Sequence, residues 1–156
     1  MPRLSAGILL YRYRHRMVEV FLVHPGGPFW AIKDAGAWSI PKGEPGAGEA
    51  PEEAARREFR EETGLQAPEH LQELATIRQG RGGKWVRAWY ARHDVDADQV
   101  RSNLFSLEWP PKSGHISQFP EIDRAGWFLL ADAEKKIIKG QVPLLHALEK
   151  ILGSGQ

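Results

Sequence analysis

Cysteine is absent from this chain of 156 residues, which excludes disulfides, thiolate metal sites and a cysteine nucleophile. A charge of one sign is absent too. The 21 Lys and Arg residues against 20 Asp and Glu leave a formal net charge of +1, too balanced for wholesale nucleic-acid binding. No apolar run approaches the roughly 18 residues of a membrane span, and the N-terminus lacks the apolar core of a signal peptide. Internal repeats and low-complexity blocks are missing as well. What remains is ordinary globular composition, 42% hydrophobic and 26% charged. The expectation is one cytoplasmic, soluble domain over residues 1–156, monomer or homodimer, with a mobile tail at about 153–156.

The chain is organised around Gly43 to Leu65, GEPGAGEAPEEAARREFREETGL. A Gly/Pro-rich loop, Gly43 to Gly48, precedes a charged helix expected over Glu49 to Glu62, with Gly64 as the C-cap. At about 100° per residue, Glu58, Glu61 and Glu62 share one helical patch. Like charges so placed repel and weaken a helix. A cation between them would explain the arrangement, and hard divalent ions take oxygen ligands that phosphate substrates complete. Ala54 and Ala55 fall near the patch, where small side chains would leave room for an ion. Glu52 with Arg56 and Glu53 with Arg57 form i, i+4 pairs. Taken singly, these residues would equally suit a solvated charged helix.

Around this stretch the chain reads as strands, one helix, more strands and terminal helices. Leu4 to Tyr13 and Val18 to His24 are apolar runs joined by the basic segment Arg12 to Arg16, a hairpin expectation. Pro25-Gly26-Gly27-Pro28 opens a loop, in which Phe29 and Trp30 are expected to pin the chain to the core. Trp38 to Pro41 is a short strand leading into Lys42-Gly43. Leu71 to Arg78 and the alternating Lys84 to Arg92 are further strands, separated by Gly80 to Gly83. Asp94 to Leu104 reads as irregular, and a loop is expected near Ser113-Gly114. Ala125 to Leu129 is the last strand, followed by helices over Ala131 to Ile138 and Val142 to Leu152. The order suggests an α/β/α sandwich with a mixed sheet.

Read as a pattern, the central stretch is G-x5-E-x7-R-E-U-x-E-E-x-G-U, with U apolar, filled by Gly43, Glu49, Arg57, Glu58, Phe59, Glu61, Glu62, Gly64 and Leu65. Chance would supply it about once in 10⁹ starts at average residue usage. The stretch resembles the Nudix box of the Nudix hydrolases. The resemblance implies the Nudix fold and an Mg²⁺- or Mn²⁺-dependent hydrolase that cleaves a phosphoanhydride in a nucleotide. It further implies that Glu58 and Glu62 are metal ligands, that Glu61 is a ligand or the general base, and that the Gly43 carbonyl is a candidate ligand. Arg57 and Glu49 would hold the loop against the helix.

Outside the box, Glu121 is the candidate for a fourth acid, because some Nudix enzymes carry a metal-binding glutamate just before a tryptophan-containing strand. Glu108 is its competitor. The W-x-x-P-K-G entry, Trp38 to Gly43, resembles the diadenosine polyphosphate hydrolase branch, and Lys42 is the expected contact for substrate phosphates. Trp85 and Trp89 either lie buried on the sheet or offer a π-face to a base, and Trp85 is the substrate-binding candidate. His24 and His115 carry no functional signal by themselves. Marks of the NADH, coenzyme A and ADP-ribose branches are missing. So is the downstream tyrosine of part of the diadenosine branch. The layout is most similar to predicted nucleoside-triphosphate pyrophosphohydrolases. The leading expectation is hydrolysis of nucleoside or dinucleoside polyphosphates. The alternatives are a sanitising enzyme for damaged nucleotides and a non-catalytic module that binds a nucleotide or RNA end.

Overall fold

A computed structural model describes residues 3–153. Its principal sheet runs β4 (Gln72–Gln79), β5 (Lys84–Arg92), β1 (Arg3–Arg14), β2 (Met17–Pro25), β8 (Ile122–Leu129), with the two-residue β3 (Lys42–Gly43) also paired to β1. The β1–β5 pair is parallel and the remaining pairs are antiparallel, so the sheet is mixed. Helix α1 (Pro51–Thr63) covers one face, and α2 (Leu130–Lys136) with α3 (Val142–Gly153) covers the other. This is the expected α/β/α sandwich.

Strand alternation divides the core between the two faces. Ala6, Ile8, Leu10, Phe21 and Val23 pack with Ala54, Ala55 and Phe59 of α1. Leu9, Val20, Leu22, Val86 and Ala88 pack with Ala133, Leu144, Leu145 and Leu148. Because β1 and β2 are covered on both sides, they read in the sequence as continuous apolar runs rather than alternating ones. Ala54 and Ala55 are fully buried in the first cluster. Their smallness lets α1 approach the sheet and leaves no room for an ion, which corrects the expectation from the helical wheel.

Helix α1 starts two residues later than expected. Pro51 occupies its first turn, where the N–H that proline lacks would have had no partner anyway. It ends as expected, with Gly64 in the left-handed region (φ 72°) and its N–H bonded to Arg60 O at 2.7 Å. The segment expected as a strand before the box makes only single bridges, Ser39 to Val23 and Trp38 to Ile137. The pairing there belongs to Lys42 and Gly43.

Downstream, Ile122 extends the last strand to β8, and a separate hairpin, β6 (Leu104–Glu108) with β7 (Ile116–Pro120), stands outside the main sheet. The sequence offered no clear mark of it, since both strands are short and expose Leu104 and Ile116. Of the expected mobile tail, Gly153 closes α3 and residues 154–156 lie outside the described residues.

Phe59 is fully buried in α1, its ring 6.4 Å from that of Phe21. Phe59→Ala is therefore expected to cost about 3–5 kcal/mol in a denaturant titration. A loss below about 1 kcal/mol would remove it from the core.

Candidate active site

The loop that opens the box is closed onto α1 by one guanidinium. Arg57 donates through Nε to Glu49 Oε2 at 2.9 Å and through Nη2 to Glu49 Oε1 at 3.0 Å, a two-pronged pair. Glu49 also accepts from the Gly46 N–H at 2.9 Å. Arg57 Nη2 reaches the Glu44 carbonyl at 3.1 Å. These bonds, first that from Arg57, lower the Glu49 carboxyl to about 2. The expected Glu53–Arg57 pair is replaced by this geometry, whereas Glu52 and Arg56 do pair at 3.2 Å.

The same arginine faces the acidic patch. Its Nη1 lies 3.1 Å from Glu58 Oε1 and 2.9 Å from Glu61 Oε2. Glu62 points toward the strand that enters the box, where Oε1 accepts the Lys42 N–H at 3.3 Å. Gly43 is required by packing: a Cβ there would run into the Glu58 carboxylate.

Glu121 reaches this neighbourhood through the backbone. The Asn103 N–H donates to Glu61 O at 2.9 Å, and the Glu121 N–H donates to Asn103 O at 2.9 Å. From the other side, the Gly26 N–H donates to Glu121 O at 2.8 Å. A Cβ on Gly26 would strike Pro120 O, so this approach also depends on glycine. Lys42, Glu62 and Glu121 consequently line one cavity of about 210 Å³, with Trp30, Val23, Ala37 and Ile138 among its other walls. Glu108 lies apart, accepting the N–H groups of Lys112 and Gly114 in the hairpin turn.

Lys42 also lines a second cavity, of about 180 Å³, with Arg3, Lys84, Gly43 and Trp85. Trp85 is partly exposed there, whereas Trp89 is buried under α1. A larger depression, about 560 Å³, lies farther along β1 between Arg12, Asp94 and Trp127 and contains no box residue. His24 is structural. It is fully buried, with Nδ1 2.8 Å from Asp123 Oδ1 and Nε2 2.6 Å from Lys33 O. His115 lies in the exposed hairpin turn.

Burial first, and the crowding of acids second, shift these carboxyls. Burial, opposed by Lys42 and reinforced by Glu58 and Glu121, raises the Glu62 carboxyl to about 8. Burial raises Glu58 as well. Desolvation and the charge of Glu61 raise Glu121. Burial lowers the Lys42 ammonium, with Glu62 acting against it. Among the described residues no three acidic or histidine side chains converge closely enough to hold a metal as they stand. Arg57 lies between Glu58 and Glu61 instead. The donor chemistry nevertheless fits Mg²⁺ or Mn²⁺, because it consists of carboxylate oxygens whose ionised forms a divalent cation would favour.

Fold and box together define a Nudix protein. The chain belongs to the NUDIX domain family, which matches residues 1–148, and it is a Nudix hydrolase. An RNA pyrophosphohydrolase of Acinetobacter baylyi is 35% identical over 122 residues, covering 70% of this chain and 70% of that protein. Another, of Mesorhizobium japonicum, is 29% identical over 117 residues, or 65% of this chain and 61% of that protein. A C. elegans Ap4A hydrolase binary complex shares the fold with a TM-score of 0.65 at 24% identity, covering 97% of this chain and 98% of that one.

Phe29 and Trp30 do not pin their loop to the core as expected. Trp30 and Phe29 are exposed, and Phe29 packs on Trp109 of the hairpin turn at 5.1 Å between ring centroids. The one available signal was the position of an aromatic pair in a loop directly before the box entry.

The raised Glu62 carboxyl sets a pH dependence for metal-free protein. Its protonated form is favoured on folding, so the contribution is complete below about 4.5 and is lost as pH rises toward about 8. In excess chelator, thermal stability should fall across that window, and Glu62→Gln should flatten the fall. An identical profile in the variant would remove Glu62 as the cause. Gly43→Ala should displace the Glu58 carboxylate and destabilise the protein, a change measurable in the same melts.

Proposed function

We propose that this Nudix hydrolase is a divalent-metal-dependent enzyme that cleaves a phosphoanhydride bond in nucleoside or dinucleoside polyphosphates. The observation that carries the reading is the meeting of Lys42, Glu62 and Glu121, distant in sequence, on one cavity beside Glu58 and Glu61. Glu58, Glu61, Glu62 and Glu121 would hold Mg²⁺ or Mn²⁺, with the Gly43 carbonyl as a further candidate. The ion would supply neutralisation of phosphoryl charge and a lowered pKa for the attacking water.

The chain's own residues supply the rest. Lys42 contributes a positive charge where the substrate phosphates must lie. Its partial burial strengthens that interaction relative to one in open water. Water attacks phosphorus as the bridging P–O bond breaks. The proton passes to a carboxylate, which we assign to Glu61, and the phosphate leaving group departs on the opposite side. Arg57 is a positioning residue. It holds Glu58 and Glu61 in one geometry and ties the Glu49 loop to the helix. Trp85, partly exposed in the adjoining cavity with Lys84 and Arg3, offers its face to a base.

The identity to RNA pyrophosphohydrolases favours a second substrate, the 5′-triphosphate end of an RNA. That substrate presents the same polyphosphate chemistry. A panel decides between them: a nucleoside triphosphate, a damaged triphosphate, a dinucleoside tetraphosphate and a 5′-triphosphorylated oligoribonucleotide, each with Mg²⁺, with products separated by chromatography.

At least one member should turn over, and excess chelator should abolish that turnover. Persistence in chelator would overturn the metal requirement, and inertness toward all four would favour a binding module. Glu58→Gln and Glu62→Gln should each lower kcat by about 10²-fold or more with the fold intact. Lys42→Ala should act mainly on KM. Glu121→Gln should lower kcat and shift the metal titration, and an unmoved titration would remove Glu121 from the ligand set. Loss of pH dependence in Glu61→Gln would support its role as base, whereas an unchanged kcat and pH profile would assign the proton elsewhere.

A further inference from the structure

The six tryptophans divide sharply by what their rings touch. Trp38 donates to Asp34 Oδ1 at 2.8 Å and packs against His24 and Phe128. Trp89 lies under Arg87, and Trp109 meets Phe29. Trp127 stacks with Arg12 and Phe21 and donates to Val95 O at 2.9 Å. Among the described residues, Trp30 and Trp85 are the two whose rings have neither an aromatic or cationic partner nor a hydrogen bond. These same two tryptophans line the two cavities that share Lys42.

Trp30 keeps 43% of its surface exposed, leaving apolar area in water that burial would have stabilised. Its ring is not needed to hold its own loop. Residues 26–37 are fixed by the Gly26 N–H on Glu121 O, by Lys33 O against His24 Nε2, and by Asp34, which accepts from Trp38 and pairs with Lys136. The loop thus presents Trp30 on a firm support at the cavity wall.

That cavity is chemically two-ended. Lys42, Glu62 and Glu121 form a charged end, and Val23, Ala37 and Ile138 form an apolar wall beside the indole. At about 210 Å³ it falls below the roughly 300–1,000 Å³ typical of pockets for drug-sized ligands. It suits one ring system while the remainder of a ligand continues past Lys42. We infer that Trp30 is a nucleobase platform, stacking a base of the substrate whose phosphates lie at Lys42 and the box glutamates. This rests on the proposed polyphosphate site and adds to it a residue that favours nucleotides over bare polyphosphates. Stacking also tolerates any base, since each has a π-face, so Trp30 would strengthen nucleotide binding without selecting one base.

The test compares a methylene-bridged ATP analogue, which resists cleavage, with inorganic tripolyphosphate, which has no base, by calorimetric titration in Mg²⁺. Wild-type protein should bind the nucleotide more tightly. Trp30→Ala and Trp30→Leu should weaken nucleotide binding by about 5- to 100-fold and leave tripolyphosphate within twofold. Trp30→Phe should restore most of the affinity. Nucleotide affinity unchanged in Trp30→Ala, equal weakening of both ligands, or failure of Phe to restore binding beyond Leu would each overturn the platform. A wild-type protein that binds tripolyphosphate as well as the nucleotide would overturn it too, with the phosphate site still standing. Failure of wild-type protein to bind either ligand would overturn the site reading and the platform with it.

Discussion

The structure depends first on how a cluster of like charges is held together at one end of α1. Arg57 is the residue that makes this possible. One guanidinium takes both oxygens of Glu49, the carbonyl of Glu44, and one oxygen each from Glu58 and Glu61. Its planar fork meets a carboxylate with two parallel bonds, which a lysine ammonium cannot do. The loop from Gly43 to Glu49 is thereby closed on the helix, and Gly43 comes against Glu58 without a side chain between them. The geometry of the box follows from that closure, while burial, reinforced by neighbouring acids, raises the carboxyls of Glu58 and Glu62.

The fourth acid arrives by a different route. Two backbone hydrogen bonds in series, Asn103 to Glu61 and Glu121 to Asn103, carry the β7–β8 junction to the end of α1. A third, Gly26 to Glu121, ties the same junction to the loop that bears Trp30. The acidic patch, Lys42 and the exposed indole are thus parts of one connected wall.

Where sequence reading failed, burial was the missing quantity. Ala54 and Ala55 are small because β1 lies against them, a fact the helical wheel does not contain. Phe29 and Trp30 look like anchors by composition, but apolar residues also occupy surfaces, and only the folded chain shows that these two do. Trp85 and Trp89 share a strand face and differ in what covers them: α1 lies over the latter and open solvent meets the former. The β6–β7 hairpin is short, half-exposed and separate from the main sheet, so its alternation is weak against the surrounding loop residues.

The sequence by itself determined the box, its capped helix, the relation among Glu58, Glu61 and Glu62, and the layered α/β/α order with a mixed sheet. These rest on spacing within about twenty residues, or on periodicities of 3.6 and 2, which the linear chain already contains. Tertiary structure alone decided by which backbone bonds Glu121 reaches the box, that Lys42 borders two cavities, and that Trp30 faces one of them. Those placements arise from strand pairing and backbone hydrogen bonds between residues tens of positions apart. Such contacts form only when the whole sheet closes, and no local pattern specifies which loop will meet which helix end.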